Sequence, residues 1–243
     1  MTMMDIDGGY LKAYRADPAG RPRGAVIVIH EIWGLVDHIT DIADRFAEQG
    51  YLAIAPDLMT GIGVPPEVGL ELHRLMFFAD EKERSERQPY LRERLDPIRA
   101  PEYAEWAVGA LQKVVDYLEH QPGVDGRIAV TGFCFGGGYS FALAATDPRI
   151  RAALPFYGSA PAAVELAHIS CPVLAFYGDT DERLMTLLPG LTETLRDAGI
   201  DFTAKVYPDT GHAFFNDTNA TTYRPAAAAD AWKRSLEFLE KNL

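Results

Sequence analysis

Cys134 lies at the centre of Gly132-Phe133-Cys134-Phe135-Gly136-Gly137-Gly138, with glycine two positions before it and two after it. The apolar run Arg127-Ile128-Ala129-Val130-Thr131 precedes this turn, and Tyr139-Ser140-Phe141-Ala142-Leu143-Ala144-Ala145, which reads as a buried helix, follows it. A strand, a tight glycine-flanked turn and a helix form the setting in which an enzyme nucleophile is pushed out of a sheet, here with Cys where Ser is usual. Neighbours two positions either side of such a residue come close together, so they must lack a Cβ. A thiol there would sit at a helix N-terminus, where the dipole favours the thiolate.

A thiol nucleophile needs a base, and the base needs an orienting group. Of the six histidines, His212 follows the last expected strand in Thr210-Gly211-His212-Ala213-Phe214-Phe215. It comes after Cys134 in the chain, in the order nucleophile, acid, base. His30 ends a strand and should point into the sheet layer, while His38, His73, His120 and His168 fall on expected helices or polar loops. For the acid, Gly178-Asp179-Thr180-Asp181 follows a buried strand, and either aspartate could reach His212 while the other serves the turn. Glu31 also follows a strand, in the loop that should supply a second oxyanion donor; by itself it reads as a surface carboxylate.

The elements that must position these groups are legible as alternation. Ala25-Val26-Ile27-Val28-Ile29-His30 is apolar and β-branched, the pattern of a strand covered on both faces. Further strands are expected over 51–55, 127–131, 151–157, 172–177 and 202–207, with Tyr10 to Arg15 as an edge strand. Helices are expected over 38–49, 66–79, 102–119 and 185–199, with a last one opened by Pro225. The stripe of 102–119 is Ala104, Ala107, Val108, Leu111, Val114, Val115 and Leu118, that of 185–199 is Leu187, Leu188, Leu191 and Leu195, and in the last helix Ala229, Trp232, Leu236 and Leu239 should face inward. The predicted architecture is one α/β domain over 1–243, with a mostly parallel sheet covered by helices on both faces. Residues of about 59–100, dense in charge over 80–99, form an excursion near the mouth of the site with too few apolar residues for a core of their own. Every candidate site residue then falls at the carboxyl end of a strand, where open α/β sheets bind ligands.

Composition narrows the function classes. Net charge of −12 argues against nucleic acid or an anionic membrane as partner. No apolar run approaches the roughly 20 residues of a membrane span. The first residues lack a basic and then apolar leader, and two cysteines, Cys134 and Cys171, make no disulfide framework, so a cytoplasmic protein is expected. Cys and His have no metal-ligand spacing, and Gly132 to Gly138 lacks the Lys-Ser/Thr of a phosphate loop, so neither metal nor organic cofactor is implied. Asn216-Asp217-Thr218 and Asn219-Ala220-Thr221 match the glycosylation pattern by chance in an unsecreted chain.

Taken in order, His30-Glu31-Ile32-Trp33-Gly34, Ala55-Pro56-Asp57-Leu58, Gly132-Phe133-Cys134-Phe135-Gly136-Gly137, Gly178-Asp179-Thr180-Asp181 and Gly211-His212-Ala213-Phe214 resemble the dienelactone hydrolase family of α/β-hydrolases over nearly the full chain. The resemblance implies Cys134 as nucleophile, Asp181 as triad acid and His212 as base, with Glu31 contacting the resting thiol and helping to activate it. It implies an oxyanion hole from the N–H groups of Ile32 and Phe135, and a substrate pocket touched by Trp33, Tyr157 and Asn216. Tyr157 also reads as core packing. The dienelactone-cleaving relatives hold the substrate carboxylate with two arginines; here those places read Asn216 and Met59-Thr60-Gly61-Ile62-Gly63. An Asn cannot form the charged fork a carboxylate prefers. The implied activity is hydrolysis of a lactone or small carboxylic ester by a monomer or weak homodimer. Thioesterase or acyl-transfer chemistry on the same residues, and a non-catalytic binding protein, are the alternatives; a binder has no need of Glu31, Cys134, Asp181 and His212 together.

Overall fold

The computed structural model describes residues 2–162 and 166–243. Eight strands form one sheet: β1 Thr2–Ile6, β2 Leu11–Ala16, β3 Ala25–Ile29, β4 Leu52–Pro56, β5 Ile128–Phe133, β6 Ile150–Phe156, β7 Val173–Gly178 and β8 Phe202–Tyr207. Their order is β1-β2-β4-β3-β5-β6-β7-β8. β2 runs antiparallel to both β1 and β4, and every other pairing is parallel. Every residue of β3, β4, β5 and β7 is buried, as strands covered on both faces must be. The helices are α1 Asp37–Glu48, α2 Pro66–Phe77, α3 Glu81–Leu95, α4 Pro101–Glu119, α5 Phe135–Thr146, α6 Glu182–Asp197 and α7 Pro225–Asn242. No described helix is long and apolar enough to cross a membrane.

The expected edge strand is interior. β2 is covered by β1, in which only Ile6 is buried. β1 is held by backbone pairing along an exposed edge, so its sequence carries little apolar alternation to reveal it. The stripe of α4 starts at Tyr103 and runs through Ala107, Ala110, Leu111, Val114, Val115 and Leu118; Ala104 is exposed. In α6, Leu184 and Leu195 are buried while Leu187 faces outward. In α7 the buried face is Ala227, Ala228, Ala231, Ser235 and Leu239, and Ala229 is exposed, because small residues let the helix sit close to the sheet.

The excursion is two helices and their turns. Gly69 seats α2 directly on the loop after β3: a Cβ there would lie 1.8 Å from the Trp33 carbonyl oxygen. α3 is polar around its circumference, with only Leu91 buried. Four arginines of the excursion are used within it. Arg74 pairs with Glu83, Arg87 with Glu71, Arg84 donates to the Ala79 carbonyl, and Arg94 to that of Gly63.

Beneath the carboxyl ends of the central strands lies an aromatic floor. Phe156 packs on Phe133, Phe176 and Phe215 with ring centroids 4.5–5.0 Å apart. Such close packing fixes the height of the loops above it.

Candidate active site

Cys134 is the first residue beyond β5 and caps α5, with φ 54° and ψ −109°. This conformation is costly for a residue with a side chain, and its surroundings hold it there. The Cys134 N–H donates to the Phe156 carbonyl at 3.0 Å. A Cβ on Gly132 would meet the Gly136 carbonyl oxygen at 2.1 Å, and one on Gly136 would meet that of Ile29 at 2.2 Å. The glycine spacing read from the sequence is therefore a steric requirement. Of the six non-glycine residues with positive φ among the described residues, three gather here: Cys134, Tyr157 and Ala213, which follows His212.

His212 reaches the site on the loop after β8. Its Nδ1 lies 2.5 Å from Asp181 Oδ2, while its side chain keeps 36 % of its surface exposed. Asp181 also accepts from the Leu184 N–H at the start of α6. Asp179 has the other duty, accepting from the Thr210 N–H and holding the loop of His212 to the turn. Burial alone pushes the His212 imidazole down. The hydrogen bond His212 donates to Asp181 and the nearby Cys134 sulfur outweigh it and lift His212 to about 10. Burial raises Asp181, but its bond to His212 wins and the carboxyl lies below its ordinary value.

Two N–H groups near Cys134 and Glu31 in the chain have no acceptor among the described residues. The N–H of Phe135 belongs to the first residue of α5, where no intrahelical partner exists, and that of Ile32 lies in the turn after β3. This turn is held from behind by His30. Leu58 N–H donates to His30 Nε2 at 3.0 Å, so the neutral ring carries its proton on Nδ1 and donates it to the Glu31 carbonyl at 2.6 Å. Full burial keeps His30 lowered and uncharged.

Glu31 is not at the surface. It is 2 % exposed, and its Oε2 accepts from Asn216 Nδ2 at 2.8 Å. Its Oε1 has no hydrogen-bond partner. Burial raises the Glu31 carboxyl; His38, Asn216, His212 and Tyr157 oppose that in decreasing order. Tyr157 is fully buried, its ring 5.1 Å from that of His212 and its hydroxyl unpartnered. Burial first, then the charges of Glu31 and Cys134, push that hydroxyl well above its ordinary value.

Cys134, His212, Asp181, Glu31 and Tyr157 thus converge, with Ile32 and Phe135 beside them. Two expected pocket residues are placed differently. Trp33 is 6 % exposed and packs against His73 and Phe77, because Gly69 lets α2 close over it. Asn216 is 3 % exposed, and its side chain is committed to Glu31 and Thr218. No arginine of the excursion pairs with Glu31, Cys134 or His212 among the described residues. His38 is buried on α1 and faces Asp217, five residues after His212. The signal for His38 was present: with Ile42 four residues on, it shares the buried stripe of α1. Cys171 is buried and burial pushes its thiol up to about 12. Among the described residues, no group of three or more His, Cys, Asp or Glu is arranged to hold a metal ion. A groove of about 600 Å³ begins at Phe135 and runs between α4 and α5, walled by Val108, Tyr139, Ala142 and Ala160.

A model of the dienelactone hydrolase family matches residues 11–243. A protein of Saccharolobus solfataricus named "Putative carboxymethylenebutenolidase" is 34 % identical over 258 residues, spanning 98 % of this chain and 96 % of the relative. One of Escherichia coli K12 with the same name is 32 % identical over 253 residues, spanning 99 % and 86 %. The crystal structure of a "Putative Dienelactone Hydrolase" from Klebsiella pneumoniae matches with a TM-score of 0.78 at 31 % identity, covering 95 % of this chain and 92 % of that one. The sheet order, with β2 antiparallel and a tight glycine-flanked turn after β5, is that of an α/β-hydrolase.

Proposed function

Since this chain belongs to the dienelactone hydrolase family and is a hydrolase, we propose that it cleaves a lactone or small carboxylic ester through a thioester on Cys134. The observation that carries the reading is the placement of Cys134 at the strained start of α5 beside the His212–Asp181 pair. Glu31 takes the thiol proton, and the thiolate attacks the substrate carbonyl carbon. The N–H groups of Ile32 and Phe135 receive the charge that develops on the carbonyl oxygen. His212, an imidazolium at neutral pH, gives its proton to the leaving alkoxide as the C–O bond breaks, leaving an acyl-thioester and neutral His212. His212 then takes a proton from water, whose oxygen attacks the thioester carbon. The C–S bond breaks, the acid departs, and Glu31 returns its proton to sulfur. Asp181 holds the imidazole in one tautomer and stabilises its charged form throughout.

Specificity follows from what is missing. Asn216 is occupied with Glu31, and the 59–63 turn carries no arginine, so a substrate carboxylate meets no charged fork at either place. Losing one such contact costs about 1.5–3 kcal/mol, or roughly one to two decades of kcat/KM. The apolar groove beside Phe135 favours neutral esters or lactones with a hydrocarbon portion. The chain works as one domain, a monomer or weak homodimer, with no nucleic-acid or membrane partner. Its reactive thiol and net charge of −12 suit the reducing cytoplasm.

The test compares kcat/KM for a dienelactone and a neutral aryl ester of similar reactivity, with Cys134→Ala as control. Comparable values for the two substrates, and loss of both activities in the variant, are expected. A strong, salt-sensitive preference for the dienelactone would contradict the specificity, and an active Cys134→Ala would contradict the mechanism.

A further inference from the structure

The groove that begins at Phe135 has a direction, and the direction separates the two halves of an ester. Its lining on α5 runs from Phe135 to Thr146, the whole helix, a span of about 16 Å. One wall is α4, and another is the segment after β6, from Ser159 to Pro161. Gly138 lets that segment close on α5, since a Cβ there would lie 2.8 Å from the Ser159 carbonyl oxygen. Gly109 of α4 has the opposite setting. It lines the groove, and a Cβ on it would meet nothing within 4 Å among the described residues. Ala142 of α5 is another short wall residue. Among the described residues no Lys or Arg lines the groove, and its charged side chain is that of Glu105, which is exposed. A hydrocarbon chain fits such walls, and an anion does not.

Phe135 ties the groove to the reaction. Its N–H is one of the two oxyanion donors of the proposed mechanism, and its ring stands where the groove starts. That ring is held by Tyr139 at 4.6 Å and Tyr103 at 6.3 Å, and it lies parallel to the ring of His30 at 5.8 Å. A carbonyl whose oxygen reaches the Phe135 N–H therefore has the groove beside it. His212 is not part of the lining. In the sheet, β8, whose following loop carries His212, lies on one side of β5, and β4, against which α4 packs, lies on the other. The leaving oxygen must turn toward His212 to receive its proton, so the acyl portion turns toward the groove.

We propose that the groove between α4 and α5 is the acyl-chain site, and that the enzyme selects neutral esters by a hydrocarbon acyl chain laid along α5. Gly109 and Ala142 set the room for that chain. The inference rests on the reading of Cys134 as the acylated group and His212 as the donor to the leaving alkoxide. It names the half of the substrate on which selection acts.

The experiment measures kcat/KM for two series. One is p-nitrophenyl acetate, butanoate, hexanoate and octanoate; the other is the acetates of phenols that carry alkyl chains of matching length. A methylene moved from water into the groove is worth up to about fourfold. In the wild type the acyl series should climb at least roughly tenfold from acetate to octanoate, while the phenol series stays within about threefold. A carboxylate at the far end of the acyl chain should cancel the climb. Gly109→Leu and Ala142→Leu should each lower the octanoate-to-acetate ratio about tenfold by filling the space the chain would take. Leu suits a helix interior better than Gly, and Ala142→Leu repeats the test from the other helix. A flat acyl series in the wild type, or an unchanged ratio in both variants, with Cys134→Ala inactive, overturns the acyl site and leaves the mechanism standing. A climb that follows the phenol chain instead overturns the assignment of the two halves. Full activity in Cys134→Ala overturns the thioester reading, and the proposal with it.

Discussion

His212 and His38 each face an aspartate, yet the two pairs are built for different work. His212 stands 2.5 Å from Asp181 and keeps a third of its side chain open, so it can both hold a proton and pass it to something that arrives. His38 stands 3.4 Å from Asp217, is sealed behind Phe133, and makes no hydrogen bond. Exposure and hydrogen-bond geometry, more than the identity of the pair, separate a ring that an arriving group can reach from one that it cannot. Both pairs are joined by the stretch 212–217, so the distinction can be broken by substitutions only a few residues apart.

The largest expected difference is in turnover. Asp181→Asn should lower kcat by about four orders of magnitude, because the imidazole loses its tautomer and the support for its charged form. Asp217→Asn should stay within about tenfold of wild type at the pH optimum. Steady-state kinetics on one neutral ester decide the matter. Equal losses would mean that the two pairs share one task.

A smaller difference should appear in stability against pH. His212 is raised to about 10 in the folded protein, above its unfolded value of about 6.5. Its contribution is complete below the unfolded value and is lost as pH rises through the folded one. Asp217 is held below the ordinary carboxylate range by His38, with burial opposing and Arg45 adding to the effect. Its contribution is present above the unfolded value near 3.9 and fades as pH falls. Urea midpoints from pH 3 to 10 should therefore show Asp181→Asn flattening the alkaline side and Asp217→Asn the acid side. The reverse assignment would contradict the electrostatics of both pairs.

The same contrast extends to the two thiols, where the expected effect is a matter of site selectivity. Iodoacetamide should label Cys134 and leave Cys171, whose thiol burial holds near 12. Mass mapping after brief labelling of the folded protein checks this, and labelling of Cys171 first would sink the assignment.

What the sequence made legible follows the same physical division. The strands β3 to β7 and the loops after them announce themselves, because buried strands need nearly continuous apolar runs and the elbow needs glycines at fixed spacing. Chain order then singles out His212. The choice between Asp179 and Asp181 was open from the residues alone, since both aspartates suit a turn; the coordinates give Asp179 to Thr210 and Asp181 to His212. The burial of Glu31, Trp33 and Asn216 was not legible, as it depends on α2 and the base loop closing from distant parts of the chain. His38 was hidden for the same reason: its helical stripe is local, but its neighbour Asp217 is not. The edge strand β1 has no apolar pattern to reveal it.

The central claim is that the reaction passes through an acyl group on Cys134. The most direct measurement mixes the enzyme with excess p-nitrophenyl acetate, quenches in acid within milliseconds to seconds, and weighs the intact protein and its peptides. One acetyl group on the peptide that contains Cys134 should form no more slowly than the enzyme turns over, decay by hydrolysis, and be absent in Cys134→Ala. In Asp181→Asn it should form slowly. Turnover with no adduct, or an adduct on another residue with full activity in Cys134→Ala, would contradict the account.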